Sequence, residues 1–224
     1  MSRTLLEARS VVPLRGVSFD VYNELRREPA NRLLRMTYHN GTLEIMSPQY
    51  RHEKASRRIG FIVLAVTSVL GIPCQGAGST TFSRRGPRRL QGWRKEPDQS
   101  FYLANEPRIR GKEEIDLETD SPPDLWIEVD HRGSSRGRLP LYASLGIPEI
   151  WRFGTRSRRL CFGRLEGSTY HEIDRSFALP MLTPALVLVA LDLGADRSES
   201  EWDFVLRTWV RERFSPREPG RLDG

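Results

Sequence analysis

Cysteine is almost absent. Cys74 and Cys161 are the only two in 224 residues, and they form no CxxC or mixed His/Cys ligand spacing, so they read as ordinary reduced thiols rather than a zinc site or a disulfide. Lysine is nearly as scarce: Lys54, Lys95 and Lys112 are the only ones, and every other basic side chain is arginine. The longest strongly apolar stretch, Ile59 to Leu70, falls well short of the roughly 20 residues that cross a bilayer. No apolar block of a secretory signal opens the chain, which points to the cytoplasm and away from a membrane. There is no internal repeat and no interdomain linker. A chain of this length is expected to form one domain over residues 1–214, with a disordered tail over 215–224. His52-Glu53 does not open a His-Glu-x-x-His zinc motif, because Ser56 stands where the second histidine is needed.

Positive charge is in excess. Lys and Arg number 35 against 29 Asp and Glu, a net charge of +6, which favours a polyanionic partner. A GC-rich genome would also enrich arginine, so the position of the clusters is more informative than their number. Arg84, Arg85, Arg88, Arg89, Arg94 and Lys95, interrupted by Gly86, Pro87 and Gly92, read as a flexible basic loop. A second cluster runs from Arg132 to Arg138 and a third from Arg156 to Arg164. The residues expected to meet nucleic acid are Arg84, Arg85, Arg88, Arg89, Lys95, Arg132 and Arg136, while the third cluster reads as solvated surface. Phosphate contacts of this kind weaken steeply with salt. Trp93 is a base-stacking candidate; Phe101 and Tyr102 are better core residues.

Local patterns place the elements. Ser18 caps a short helix to Arg27. Asn40-Gly41 joins two short strands, 33–38 and 42–46, because both residues tolerate positive φ. A helix from about Tyr50 to Leu70 carries the apolar stripe Ala55, Ile59, Ile62 and Val66 and stops at Gly71. Residues 112–120 read as a solvated acidic connection, and a short helix carries Leu141, Tyr142 and Leu145. Strands follow at 149–153, 160–165 and 169–173, then a strand or buried segment at 186–191. Ser198 and Glu201 have capping-box spacing for a final helix with Trp202, Val205, Leu206 and Trp209 inward.

Two carboxylates stand out. Asp98 stands in the stretch Glu96 to Tyr102 and Glu128 in Pro123 to Val129, each at or in an apolar run that reads as a strand. Alternation in the second run puts Leu125, Ile127 and Val129 on one face and Trp126, Glu128 and Asp130 on the other. Neighbouring strands would converge both acids on one point, and such hard oxygens suit a divalent cation. Taken singly, Asp98 also reads as a turn residue after Pro97 and Glu128 as an arginine partner.

The order of motifs around this pair, Gly78-Ser79-Thr80-Thr81, Glu96-Pro97-Asp98, Pro122-Pro123-Asp124-Leu125, Ile127-Glu128-Val129-Asp130, Arg138-Leu139-Pro140-Leu141-Tyr142-Ala143 and Gly146-Ile147-Pro148-Glu149-Ile150-Trp151, resembles the Uma-type family of restriction-endonuclease-like proteins. Gly41 to Pro48 and His52-Glu53 extend the resemblance, which runs from about Met36 to Phe153. It implies an α/β fold with a restriction-endonuclease-like mixed central β-sheet flanked by helices, the motif-bearing core lying at about 36–165. It also implies Asp98 and Glu128 as catalytic metal ligands, the carbonyl of Val129 as a third, Glu53 as a further acid, and Mg2+ (or Mn2+) as the cofactor. The family resembled belongs to the PD-(D/E)xK nuclease-like superfamily, and the lysine of that superfamily's Glu-x-Lys is replaced here by Asp130. Arg138 occupies the position to which many Uma-type members shift that lysine; it keeps the charge but cannot act as a base. Lys95, three residues before Asp98, is a spatial substitute or a surface phosphate contact.

The function implied is Mg2+-dependent hydrolysis of DNA phosphodiester bonds, with homodimerisation suited to cutting both strands. The alternative is a catalytically inactive nucleic-acid-binding module on the same fold, and a third reading is a protein-interaction or toxin-system accessory component.

Overall fold

The computed structural model describes residues 11–31, 34–46, 50–85, 92–130 and 134–215. In chain order these form β1 (Val11–Arg15), α1 (Phe19–Arg27), β2 (Arg35–His39), β3 (Thr42–Met46), α2 (Tyr50–Leu70), β4 (Gln75–Gly76), β5 (Phe82–Arg85) and β6 (Gly92–Lys95). Then come β7 (Gln99–Tyr102), α3 (Glu106–Ile109), β8 (Leu125–Asp130), α4 (Leu139–Ser144), β9 (Glu149–Gly154), β10 (Leu160–Glu166), β11 (Thr169–Ile173), α5 (Pro184–Asp192) and α6 (Glu199–Phe214). Residues 216–224, including most of the expected tail, lie outside the described residues.

The strands divide between two sheets. An antiparallel sheet has the order β1-β3-β2-β6-β5, and a mixed sheet has the order β11-β10-β9-β8-β7-β4. In the mixed sheet only β8 and β9 run parallel; a parallel pair needs a crossover, and the segment carrying α4 supplies it. The expected mixed sheet flanked by helices is therefore present, with a second sheet beside it. Asn40 and Gly41 take φ of 43° and 84°, the positive pair that a two-residue hairpin between β2 and β3 requires.

Within the basic segment 76–95, read from sequence as a loop, the described residues include two paired strands, and residues 86–91 lie outside the described residues. Phe82 pairs with Lys95 and Arg85 with Gly92, so β5 and β6 form a hairpin that edges the antiparallel sheet. Directly opposed residues in an antiparallel pair project to the same face, and Phe82 is buried against Trp126, with ring centroids 5.5 Å apart. Lys95 is thereby aimed inward. The segment 186–191 is helix rather than strand: Thr183 accepts from the Leu186 N–H at 3.2 Å and Pro184 occupies the first turn, start signals that outrank a β-branched apolar run.

β8 lies between two cores. Leu125, Ile127 and Val129 pack with Ile59, Ile62 and Val66 of α2, while Trp126 packs with Phe82, Tyr102 and Tyr142. All six residues of β8 are buried, so the alternation expected from sequence separates two interiors rather than an inner from an outer face. The capping box at Ser198 and Glu201 starts α6, which packs on α2 through Trp202, Leu206 and Val210. Among the described residues no helix is long and apolar enough to cross a membrane.

Candidate active site at the junction of the sheets

The chain passes from one sheet to the other in three residues, Glu96-Pro97-Asp98, between β6 and β7. Glu96 is tied down by Arg26 at 2.6 Å and by the Thr81 hydroxyl at 3.0 Å. Asp98 follows, buried, and its Oδ2 accepts from the Val129 N–H at 2.7 Å. That bond locks the junction onto β8 and sets Asp98 beside Glu128. Val129 thus meets Asp98 through its amide N–H.

α2 presents His52 and Glu53 from its first turn. His52 Nε2 lies 3.0 Å from Asp98 Oδ2, and its Nδ1 lies 3.2 Å from Glu53 Oε1. Burial alone would lower the imidazole, but the hydrogen bond and charge of Asp98, with Glu53 adding to them, outweigh burial and raise its pKa. Asp98 shows the reciprocal effect: burial pushes it up, yet His52, the Lys95 cation and the Val129 amide together hold it below the usual carboxylate range. Ser56, one turn on, donates to the Asp98 carbonyl at 3.3 Å and accepts from Gln99.

Glu128 meets Lys95. The ammonium lies 3.3 Å from Glu128 Oε2 and donates to the Glu96 carbonyl at 2.7 Å, and both residues are only 2 % exposed. The other carboxylate oxygen, Glu128 Oε1, is buried with no hydrogen-bond partner among the described residues. Burial raises the Glu128 carboxyl most; Lys95 opposes this and Asp98 adds to it, leaving a pKa of about 7. The Tyr142 hydroxyl is also buried without a partner among the described residues, and its pKa is raised by burial and by the charge of Glu128.

Arg138 lies within electrostatic reach of Glu128 and also binds an acid on the other sheet. Its Nε and Nη2 bind Glu44 Oε2 on β3 at 2.9 and 2.8 Å, a charge-assisted contact that ties the crossover segment to the antiparallel sheet. Its pKa is raised, with Tyr142, Glu44 and Glu128 overcoming the effect of burial. Among the described residues no group of three or more His, Cys, Asp or Glu side chains is placed to hold a metal ion.

The structure therefore brings together Asp98, Glu128, His52, Glu53 and Lys95. It corrects the placement of Lys95, which is an interior strand residue and not a surface phosphate contact. Arg84 is likewise no free clamp: it donates to the carbonyls of Ser144 and Leu117 at 3.3 and 2.9 Å. Arg85 is exposed but pairs with Asp20 and covers the Phe19 ring. Arg136 is exposed, and Arg88, Arg89 and Arg132 lie outside the described residues. In the third cluster Arg158 pairs with Asp192, Arg159 with Glu172, and Arg164 covers Phe177. Phe101 and Tyr102 are core residues.

This ordered set of motifs matches a family model described as Uma2, "Putative restriction endonuclease", over residues 19–194. The chain belongs to the Uma2 family. A crystal structure from Anabaena variabilis, described as that of "a putative nuclease", is similar with 16% identity and a TM-score of 0.48, covering 77% of this chain and 98% of that one. No curated protein matches the chain. Within the Uma2 match fall both carboxylates, the first turn of α2 and Lys95.

Proposed function

We propose that this Uma2 protein is a DNA endonuclease that hydrolyses phosphodiester bonds with Mg2+ or Mn2+ at the Asp98–Glu128 pair, and that Lys95 supplies the cation that Asp130 displaces from the strand. The observation that carries this reading is the Lys95 ammonium, 3.3 Å from one oxygen of a buried Glu128 whose other oxygen has no partner among the described residues. An unpaired buried acceptor is costly, and a carboxylate oxygen in that state fits a cation. Two carboxylates, with further positions left to water and phosphate oxygens, suit Mg2+ better than an all-protein cage would. A bound divalent ion polarises the phosphate and lowers the pKa of water.

The chain's own residues prepare that chemistry. The Val129 amide and His52 hold Asp98 ionised and oriented. Glu53 fixes the imidazole from its far side, so the proton on Nδ1 faces a carboxylate and Nε2 faces Asp98. Lys95, held by the Glu96 carbonyl, adds a fixed positive charge where negative charge grows on a phosphate in the transition state. Arg138 acts one step away, by holding the crossover through Glu44.

A second reading, an inactive nucleic-acid-binding module, is favoured by one observation: Asp98 and Glu128 are each only 2 % exposed. Supercoiled plasmid incubated with Mn2+ separates the two. The nuclease reading expects nicking that is lost with chelator and in Asp98→Ala and Glu128→Ala proteins that keep their circular dichroism. Cleavage by the doubly substituted protein, or none by the wild type, overturns it.

A further inference from the structure

A groove of about 740 Å3 opens between the N-terminal half of α2 and the turn into α6, with neither Asp98 nor Glu128 in its lining. Two of its lining residues reach the site: Glu53, which holds His52, and Gln99, which follows Asp98 and binds Ser56. The groove's floor is Phe61, packed edge-on against Trp202 with the Arg57 guanidinium 5.5 Å above its centroid. Tyr50, in the lining of the groove, is 81% exposed, and a large ring left open to solvent is a marker of a binding surface.

Four cations line the groove against two acids, Glu53 and Glu199, and they divide by what already binds them. Arg58 is buried, donating to the carbonyls of Gly194 and Arg197, and Arg197 donates to the Leu193 carbonyl. These two are wall. Lys54 is exposed with no ion pair among the described residues, and Arg57 pairs only with Glu199, 3.1 Å away, both side chains well exposed. Such a surface pair is weak enough to be exchanged for phosphate. Lys54 and Arg57 lie three residues apart, on one side of the helix, with Tyr50 one turn before Lys54.

We propose that this groove binds a single strand of DNA, with a base stacked on Tyr50 and consecutive phosphates on Lys54 and Arg57, leading the strand toward Asp98 and Glu128. The choice of DNA rests on the nuclease reading. The volume is that of a small-ligand pocket, room for roughly one or two nucleotides and not for a duplex. An aromatic platform beside cations is the arrangement that grips single strands without reading sequence.

Fluorescence anisotropy with labelled oligothymidylate, in chelator so that nothing is cut, tests the groove independently of cleavage. Tyr50→Ala is expected to weaken binding about tenfold, the scale of one stacked base, with the salt dependence unchanged. Lys54→Ala with Arg57→Ala is expected to lower the salt slope by about 1.4, two contacts at about 0.7 each. All three side chains are surface residues, and unchanged circular dichroism checks the fold. Wild-type affinity in both variants overturns the proposal. So does an equal loss for duplex DNA, which would make the face a duplex surface, or a matching RNA strand that binds more tightly with the same Tyr50 dependence. Failure of the plasmid to be nicked leaves these binding outcomes readable and bears on the nuclease reading alone.

Discussion

Glu128→Gln should make the protein's stability less dependent on pH, and the size of the effect follows from the site. The Glu128 carboxyl is raised from 4.5 to about 7, first by burial and then by Asp98, against the pull of Lys95. A raised carboxyl binds its proton more tightly folded than unfolded. Its contribution to stability is therefore fully present below pH 4.5 and is lost as pH rises through about 7. Over the interval from roughly pH 5 to pH 8 this amounts to about 2–3 kcal/mol. Glutamine keeps the shape and removes the titration. It also leaves Lys95 without its partner, a cost that is nearly constant with pH and so separates from the slope. His52, raised by Asp98, loses its own stabilisation in the same direction as pH rises, but it does so in both proteins and cancels in the difference. Urea denaturation across this range is expected to show Glu128→Gln gaining on the wild type by about 2–3 kcal/mol from the acid to the alkaline end. Parallel curves would refute the argument, because they would mean that Glu128 is ionised at ordinary pH and that burial is not the dominant influence on it.

Arg84→Ala is expected to cost about 1–2 kcal/mol of stability, by leaving the Ser144 and Leu117 carbonyls without their donor, and to leave the salt slope of DNA binding unchanged; a shallower slope at full stability would restore Arg84 as a phosphate contact. Gly194→Ala is expected to destabilise by about 1–3 kcal/mol, because an added Cβ would meet the Trp202 ring at 2.7 Å; a wild-type thermal midpoint would contradict that close packing.

Local structure was legible where one physical rule decided it. Ser18, Asn40-Gly41 and the Ser198–Glu201 box each specify a terminus or turn through their own backbone chemistry, and each element lies where that chemistry puts it. The segment 186–191 misled because its apolar run has the composition of a buried strand, while the deciding signals, Thr183 and Pro184, precede it. Arginine and glycine content made 76–95 look like a loop; pairing across strands, Phe82 with Lys95 to Arg85 with Gly92, makes 82–85 and 92–95 sheet. The same long-range pairing explains the candidate site. Asp98 and Glu128 were conspicuous as acids in apolar runs, and His52-Glu53 was visible at a helix start. That Lys95 faces inward depends on a strand partner 13 residues away, and that Arg138 is taken up by Glu44 depends on one 94 residues away. Neither relation leaves a local pattern. An alternation of Trp93 with Lys95 opposite buried Phe82 was the available hint.

The most direct test of the account is the rate of plasmid nicking in Mn2+ by Lys95→Met beside Arg138→Met, each checked for a native circular dichroism spectrum. If Lys95 is the cation of the Asp98–Glu128 site, its removal lowers the rate by about a hundredfold or more, the scale of one lost electrostatic contact to the transition state, while Arg138→Met retains most of the activity its fold allows. Wild-type nicking by Lys95→Met, with Arg138→Met inactive, would contradict the account and return the role to the arginine of the crossover.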